Sequence, residues 1–244
     1  MQEATIKNVG DSALLIEFEN EISIETNTKV ISLKASLENA PFRGMKEPIP
    51  TYRALLVQYD PLIVRAASAE AAVREHLRDL SSVSLPKAVV TEIPVLYDRE
   101  FAEDLDEIAR IEGKTVEEII KIHSQSEYFV YMLGFAPGHP YTARFENPFS
   151  FKRRATPRVR IPGGSIVVQL ALSDIIPFDQ PCGWNIIGMT PVLACDYRKE
   201  KPFLLHAGQW IKHVPITREE YFDIKRRVEQ GTYECRTYEK GAAR

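Results

Sequence analysis

The sequence predicts a small α+β N-terminal domain over residues 1–84, followed by a mainly β domain over residues 85–244 that closes on a C-terminal helix. Three observations carry this. Across roughly the first 80 residues, strand-length and helix-length apolar patterns alternate. Beyond them, short apolar runs are separated by Gly/Pro clusters with little helix between, the pattern of a β-barrel or sandwich. Near the end, Thr217 with Glu220, then Tyr221, Ile224 and Val228, form a capped amphipathic pattern that stops at Gly231.

The turn Gly10-Asp11-Ser12 precedes Ala13 to Phe18, a short apolar run of strand length. Ile24 to Leu37 then shows near-helical spacing. After a break between Pro41 and Pro50, Tyr52 to Tyr59 reads as a second strand, ended by Asp60-Pro61. Ser68 to Leu80 is an Ala-rich helix with Val73, Leu77 and Leu80 on one stripe. Helices on one face of a sheet are the simplest way to bury such stripes. Ser81 to Lys87, polar and broken by Pro86, is the expected linker.

In the second domain, Val89 to Tyr97 reads as a strand. Two short helices follow, with Asp104 and Thr115 as N-caps, each followed three residues later by an acidic side chain that can reach back to the cap. The strand candidates after these are Tyr128 to Leu133, Ser165 to Leu172, Trp184 to Gly188, Val192 to Asp196 and Trp210 to Ile216. Between Gly134 and Pro191 the Gly/Pro clusters are dense enough to specify loop shape, because Gly permits positive φ and Pro fixes φ. Rigid loops of that kind suit a binding surface.

The composition is that of an ordered globular chain, 44% hydrophobic and 27% charged. A net charge of −3 argues against a nucleic-acid partner. No run approaches the roughly 18 apolar residues that a membrane span needs, and the polar, acidic N-terminal residues do not resemble a signal peptide, so a cytoplasmic protein without membrane contact is expected. The cysteines Cys182, Cys195 and Cys235 are widely spaced and read as reduced structural thiols. No histidine spacing supports a metal site.

With the clusters placed on loops, their order resembles the allophanate-hydrolase subunit 1 family, which includes the B component of 5-oxoprolinase, a sporulation kinase inhibitor and a carboxyltransferase half-domain of urea carboxylase. The matching residues run nearly end to end. They are Gly10 to Leu14, Tyr59-Asp60-Pro61, His123-Ser124, Tyr131 to Phe135 with Pro137-Gly138, Arg154 to Arg158, Pro162 with Gly164-Ser165, Gly183-Trp184, and Ile187-Gly188 with Thr190-Pro191. The resemblance implies a cyclophilin-like barrel for the second domain. It also implies an ATP-dependent reaction that opens 5-oxoproline to glutamate with release of ADP and phosphate, by a chain inactive alone. Partners would be a homologue of allophanate hydrolase subunit 2, which is the C component of 5-oxoprolinase, and a LamB/YcsF-type A component. ATP would be shared among them, with neither metal nor biotin bound by this chain. Two alternatives stand beside it: a regulatory module that inhibits a histidine kinase, and a carboxyltransferase component acting on urea or a related amide.

The chain departs from the family pattern at several positions. A Gly-rich loop after Gly164-Ser165 is replaced by Leu170 to Pro177, the family's Phe is His139, and its Arg before Thr190 is Met189. The catalytic candidates are His139, for its proton chemistry near neutrality, and Arg158, which falls on the family's Pro-Arg. On an extended strand Arg158 and Arg160 share a face and could meet one carboxylate or phosphate. The binding candidates are Phe135, Pro137, Gly138, Tyr141, Arg160, Gly163, Gly164, Ser165, Gly183 and Trp184. Lys152 and Arg153 read as surface, Asp174 as a turn residue, and His123 as a packing or helix-end histidine.

Overall fold

The computed structural model describes residues 4–78, 80, 87–143 and 149–241. The chain divides into two compact units, Met1–Lys87 and Ala88–Arg244. Apart from Lys87, the expected linker lies outside the described residues.

In the first unit, strands β1 (Thr5–Val9), β2 (Ala13–Glu17), β3 (Ile49–Pro50) and β4 (Ala54–Gln58) form an antiparallel sheet in the order β1-β2-β4-β3. Alternation along β2 and β4 puts Leu14, Ile16, Leu55 and Val57 on one fully buried face. Helices α1 (Ile24–Asn39) and α2 (Ala66–Arg78) cover that face with Val30, Leu33, Leu37, Ala69 and Val73. Ser23 caps α1, accepting from the Thr26 N–H at 3.1 Å.

The second unit opens with β5 (Val89–Val95), then the helix pair α3 (Leu105–Glu112) and α4 (Val116–Gln125). Next come β6 (Glu127–Leu133), β7 (Pro140–Ala143), β8 (Arg158–Ile161), β9 (Ser165–Gln169), β10 (Leu172–Ile175), β11 (Gln180–Cys182), β12 (Asn185–Met189) and β13 (Trp210–Pro215). Helix α5 (Arg218–Glu229) and strand β14 (Thr237–Glu239) complete the described chain. One eight-stranded sheet runs β12-β9-β10-β7-β6-β13-β5-β14, with β13 and β5 parallel, and β11 pairs separately with β8. Just past β5, Leu96 exchanges two backbone hydrogen bonds with Met189 of β12, at 2.8 and 2.9 Å, so distant members of the strand order meet at one bridge. The core gathers Ile93, Val95, Leu105, Ile108, Ile119, Tyr128, Val130, Ile166, Val168 and Ile187.

Three expectations change. Thr115 and Thr217 make full capping boxes with Glu118 and Glu220, but Asp104 caps nothing with its side chain, because its carboxylate serves two arginines instead. Val192 to Asp196 is not a strand; only an isolated bridge, Cys195 to Phe203, is formed there. The run Ser165 to Leu172 is a hairpin in which β9 and β10 pair across the two-residue turn Leu170-Ala171. Leu170 takes φ +50° at a turn position that ordinarily suits glycine. Folding back there carries Asp174 into the middle of a buried strand rather than a turn.

Candidate functional site

The connection between β6 and β7 closes on itself through Ala136 N–H to Gly134 O, His139 N–H to Ala136 O and Gly134 N–H to His139 O, at 2.7, 3.0 and 3.1 Å. Phe135 adopts φ +63° and remains three-quarters exposed, while Gly138 adopts φ +78°. A Cβ at Gly138 would lie 2.7 Å from the Ala194 carbonyl oxygen, so both its conformation and its space require glycine. Gly138→Ala should therefore lower the unfolding free energy by about 2 kcal/mol or more, read by urea denaturation.

This loop delivers His139 to the wall of a cavity of about 340 Å³. His139 is buried and meets Asp174 of β10, its Nε2 lying 3.4 Å from Oδ2. The other carboxylate oxygen accepts the Thr142 N–H at 2.9 Å, and Thr142 Oγ1 donates to the Ser173 carbonyl. On the opposite side, His139 Nδ1 faces Gln180 Nε2 at 3.3 Å. Tyr141 stacks on the imidazole with centroids 5.3 Å apart, and Phe135 meets it edge-on at 5.9 Å. Burial raises the Asp174 carboxyl above its usual range, opposed by the His139 contacts, and burial likewise raises the Tyr141 phenol.

The remaining wall comes from Arg153, Pro157, Val167, Ile176, Pro181, Cys182, Gly183 and Trp184. Arg153 is exposed, as expected, and it also lines the cavity: it lies across Gly183, where any Cβ would collide with its guanidinium stem, and among the described residues it forms no ion pair with a carboxylate. Cys182 Sγ accepts the Trp184 N–H at 3.3 Å, and burial raises its thiol, which disfavours the thiolate a nucleophile needs.

The candidates from sequence thus fall into two groups. Phe135, His139, Tyr141, Gly183 and Trp184 line the cavity; Pro137, Gly138, Arg158, Arg160, Gly163, Gly164 and Ser165 do not. Arg158 and Arg160 do not share one anion. Arg158 grips both oxygens of Asp104 at 2.7 and 2.9 Å, and Arg160 pairs with Asp179. Asp104 also accepts from Arg154 at 2.6 Å and from the Ile186 N–H at 2.7 Å, so Arg158 belongs to a clip joining α3, β8 and β12. Asp179 further accepts the Gly163 N–H at 2.8 Å, and Ser165 Oγ donates to the Pro162 carbonyl. Gly164, at φ +88°, leaves room for the Thr190 carbonyl oxygen, 2.6 Å from where its Cβ would be. These residues shape the turn.

The sequence model of one protein family, the carboxyltransferase domain, subdomain C and D, matches residues 4–205. The chain belongs to this family. It is 36% identical over 230 residues to the B subunit of 5-oxoprolinase from Bacillus subtilis (strain 168), covering 90% of this chain and 96% of that one. The crystal structure of TTHA0988 superposes with a TM-score of 0.73 at 32% identity, over 84% of this chain and 40% of that chain. The Kluyveromyces lactis urea carboxylase shares the fold, with a TM-score of 0.76 at 16% identity over 97% of this chain and 24% of its own.

In this carboxyltransferase-domain chain, sequence reasoning passed over Asp174, Gln180 and Arg153. The signal for Asp174 was the turn at Leu170-Ala171, which Leu at positive φ conceals. Nothing local marks Gln180 or Arg153: Gln180 meets a histidine of the distant β6–β7 connection, and Arg153 reaches Gly183 beside the backbone hydrogen bond from the Arg154 N–H to the Gly183 carbonyl. Among the described residues no cluster of three metal-ligating side chains occurs, and no helix is long and apolar enough to cross a membrane.

Proposed function

We propose that this chain is the B-type component of an ATP-dependent cyclic-amide hydrolase that opens 5-oxoproline to glutamate, and that the His139 cavity is its contribution to the active site. The observation that carries the reading is the buried His139–Asp174 pair at the wall of a small cavity, in a chain 36% identical to a 5-oxoprolinase B component. Opening a lactam requires water to lose a proton and the ring nitrogen to gain one, and an imidazole held by a carboxylate suits both transfers. Arg153, with no carboxylate partner among the described residues, would hold the substrate's carboxylate, while Phe135, Tyr141, Gly183 and Trp184 enclose the ring. Arg158 acts through Asp104 as a structural clamp. In this reading the second unit is a cyclophilin-like barrel, with the Leu96–Met189 bridge as its closure.

A nucleoside triphosphate does not fit this site. Among the described residues the cavity offers one guanidinium, and no Gly-rich loop cradles it at a helix N-terminus. ATP is therefore assigned to surfaces completed by two partner proteins in the cytoplasm, a homologue of allophanate hydrolase subunit 2 as the C component and a LamB/YcsF-type A component. The test is reconstitution: 5-oxoproline-dependent ADP release is expected only when all three components are mixed, and none from the complete set would end the proposal. Arg153→Gln in that set should raise KM about 10- to 100-fold with kcat nearly kept, the loss of one charge-assisted hydrogen-bonded contact.

A further inference from the structure

We infer that Asp174 is a positioning residue that holds His139 as the Nε2–H tautomer, leaving Nδ1, which meets the cavity-lining Gln180 as a displaceable cover, as the proton-accepting atom. The inference rests on the proposed hydrolase reading for its purpose but not for its geometry. A carboxylate accepts hydrogen bonds and donates none, so the ring nitrogen opposite Asp174 Oδ2 must carry the hydrogen. Neutral imidazole then has Nδ1 as its acceptor. Gln180 meets that acceptor with its amide N–H at 3.3 Å, a contact between neutral groups that a ligand's own donor can replace, whereas the contact at Nε2 is to a carboxylate.

The arrangement limits what can bind there. A group displacing Gln180 must itself present an O–H or N–H to Nδ1, as a water or a lactam nitrogen does; a ligand offering only acceptors leaves two lone pairs facing each other. Asp174 is itself fixed, because Oδ1 is held by the Thr142 N–H at 2.9 Å and β10 is paired on both sides. Tyr141 stacked on the ring limits its rotation. Asp174, Thr142, Gln180 and Tyr141 therefore set the ring's position and the identity of its free nitrogen.

The same geometry specifies what Asp174→Asn does. The Thr142 N–H retains the amide oxygen, which turns the amide N–H₂ toward His139 Nε2. Two donors cannot face each other, so the ring must move its hydrogen to Nδ1 and present a donor to the cavity where it had presented an acceptor.

The test is ¹⁵N NMR of the full chain, with histidine labelled and the His139 signals assigned by comparison with His139→Gln. At pH 8 and without ligand, His139 should show an imine-type Nδ1 and a pyrrole-type Nε2, and Asp174→Asn should exchange the two. Gln180→Ala should leave the tautomer as it is. The opposite tautomer in the unmodified chain, or an unchanged one in a folded Asp174→Asn protein, overturns the inference. In the reconstituted set, Asp174→Asn should lower kcat on the order of 100-fold or more with little change in KM. A wrong tautomer alongside normal turnover would remove this inference and leave the hydrolase reading standing. The expected spectra with no turnover would do the reverse.

Discussion

Replacing Asp104 by alanine should lower the unfolding free energy by about 3 kcal/mol, measured by urea denaturation at neutral pH. Asp104 is almost fully buried, and its two oxygens collect Arg154, both nitrogens of Arg158 and the Ile186 N–H. Removing one partner of a buried ion pair costs about 3–5 kcal/mol, because the charges left behind lose their compensation without regaining full hydration. Solvent tempers this here: the Arg158 and Arg154 side chains are 21% and 33% exposed, which favours the lower end of the range. Arg158→Ala should be milder, since Arg154 still neutralises the carboxylate. A change below about 1 kcal/mol for Asp104→Ala would show that the clip is not what ties α3 to β8 and β12.

The same residue shows what a sequence can and cannot disclose. Asp104 stands before an amphipathic run with Glu107 three places on, and that local pattern announces a helix start correctly, since α3 begins at Leu105. It cannot announce that two arginines about fifty residues away will take the carboxylate. The alternating strands of the first unit and the capping boxes at Thr115 and Thr217 were legible for a related reason: each is decided by neighbours within a few positions. His139 was legible as a loop histidine with a chemistry of its own. Its partner was not, because a two-residue hairpin at Leu170-Ala171 runs against residue preference, and reading through it as one strand turns the register of everything after it. Arg158 was misplaced by the same kind of reasoning that found it. Side-chain alternation on β8 puts it on a face with Arg160, yet the two meet different carboxylates supplied by the residue just before α3 and by the segment before β11.

Lowering the pH from about 6.5 toward 3 should remove stability from this chain even before its carboxylates titrate, and His213→Leu should remove much of that slope. His213 is fully buried on β13, stacked on His123 with centroids 4.2 Å apart and edge-on to Tyr128 at 5.1 Å. The His123 ring is itself engaged, with Tyr97 OH at 2.6 Å and Ser173 Oγ at 2.8 Å. Neither His213 ring nitrogen has a hydrogen-bond partner among the described residues. A charge there would be desolvated with nothing to compensate it, and burial lowers the pKa from 6.5 to about 3. In the unfolded chain the same imidazole binds a proton below about pH 6.5, so between the two values the unfolded state holds more protons and stability falls with falling pH. The limiting slope is about 1.4 kcal/mol per pH unit, and the whole interval is worth on the order of 5 kcal/mol. Above pH 6.5 the imidazole is neutral in both states and contributes no slope. The measurement is the unfolding free energy of both proteins between pH 7.5 and 5, where the difference between them isolates His213 from carboxylates such as Asp196, held near 2 by Arg198. Parallel curves would mean that the buried ring is protonated in the folded protein, and that a compensating partner holds it there.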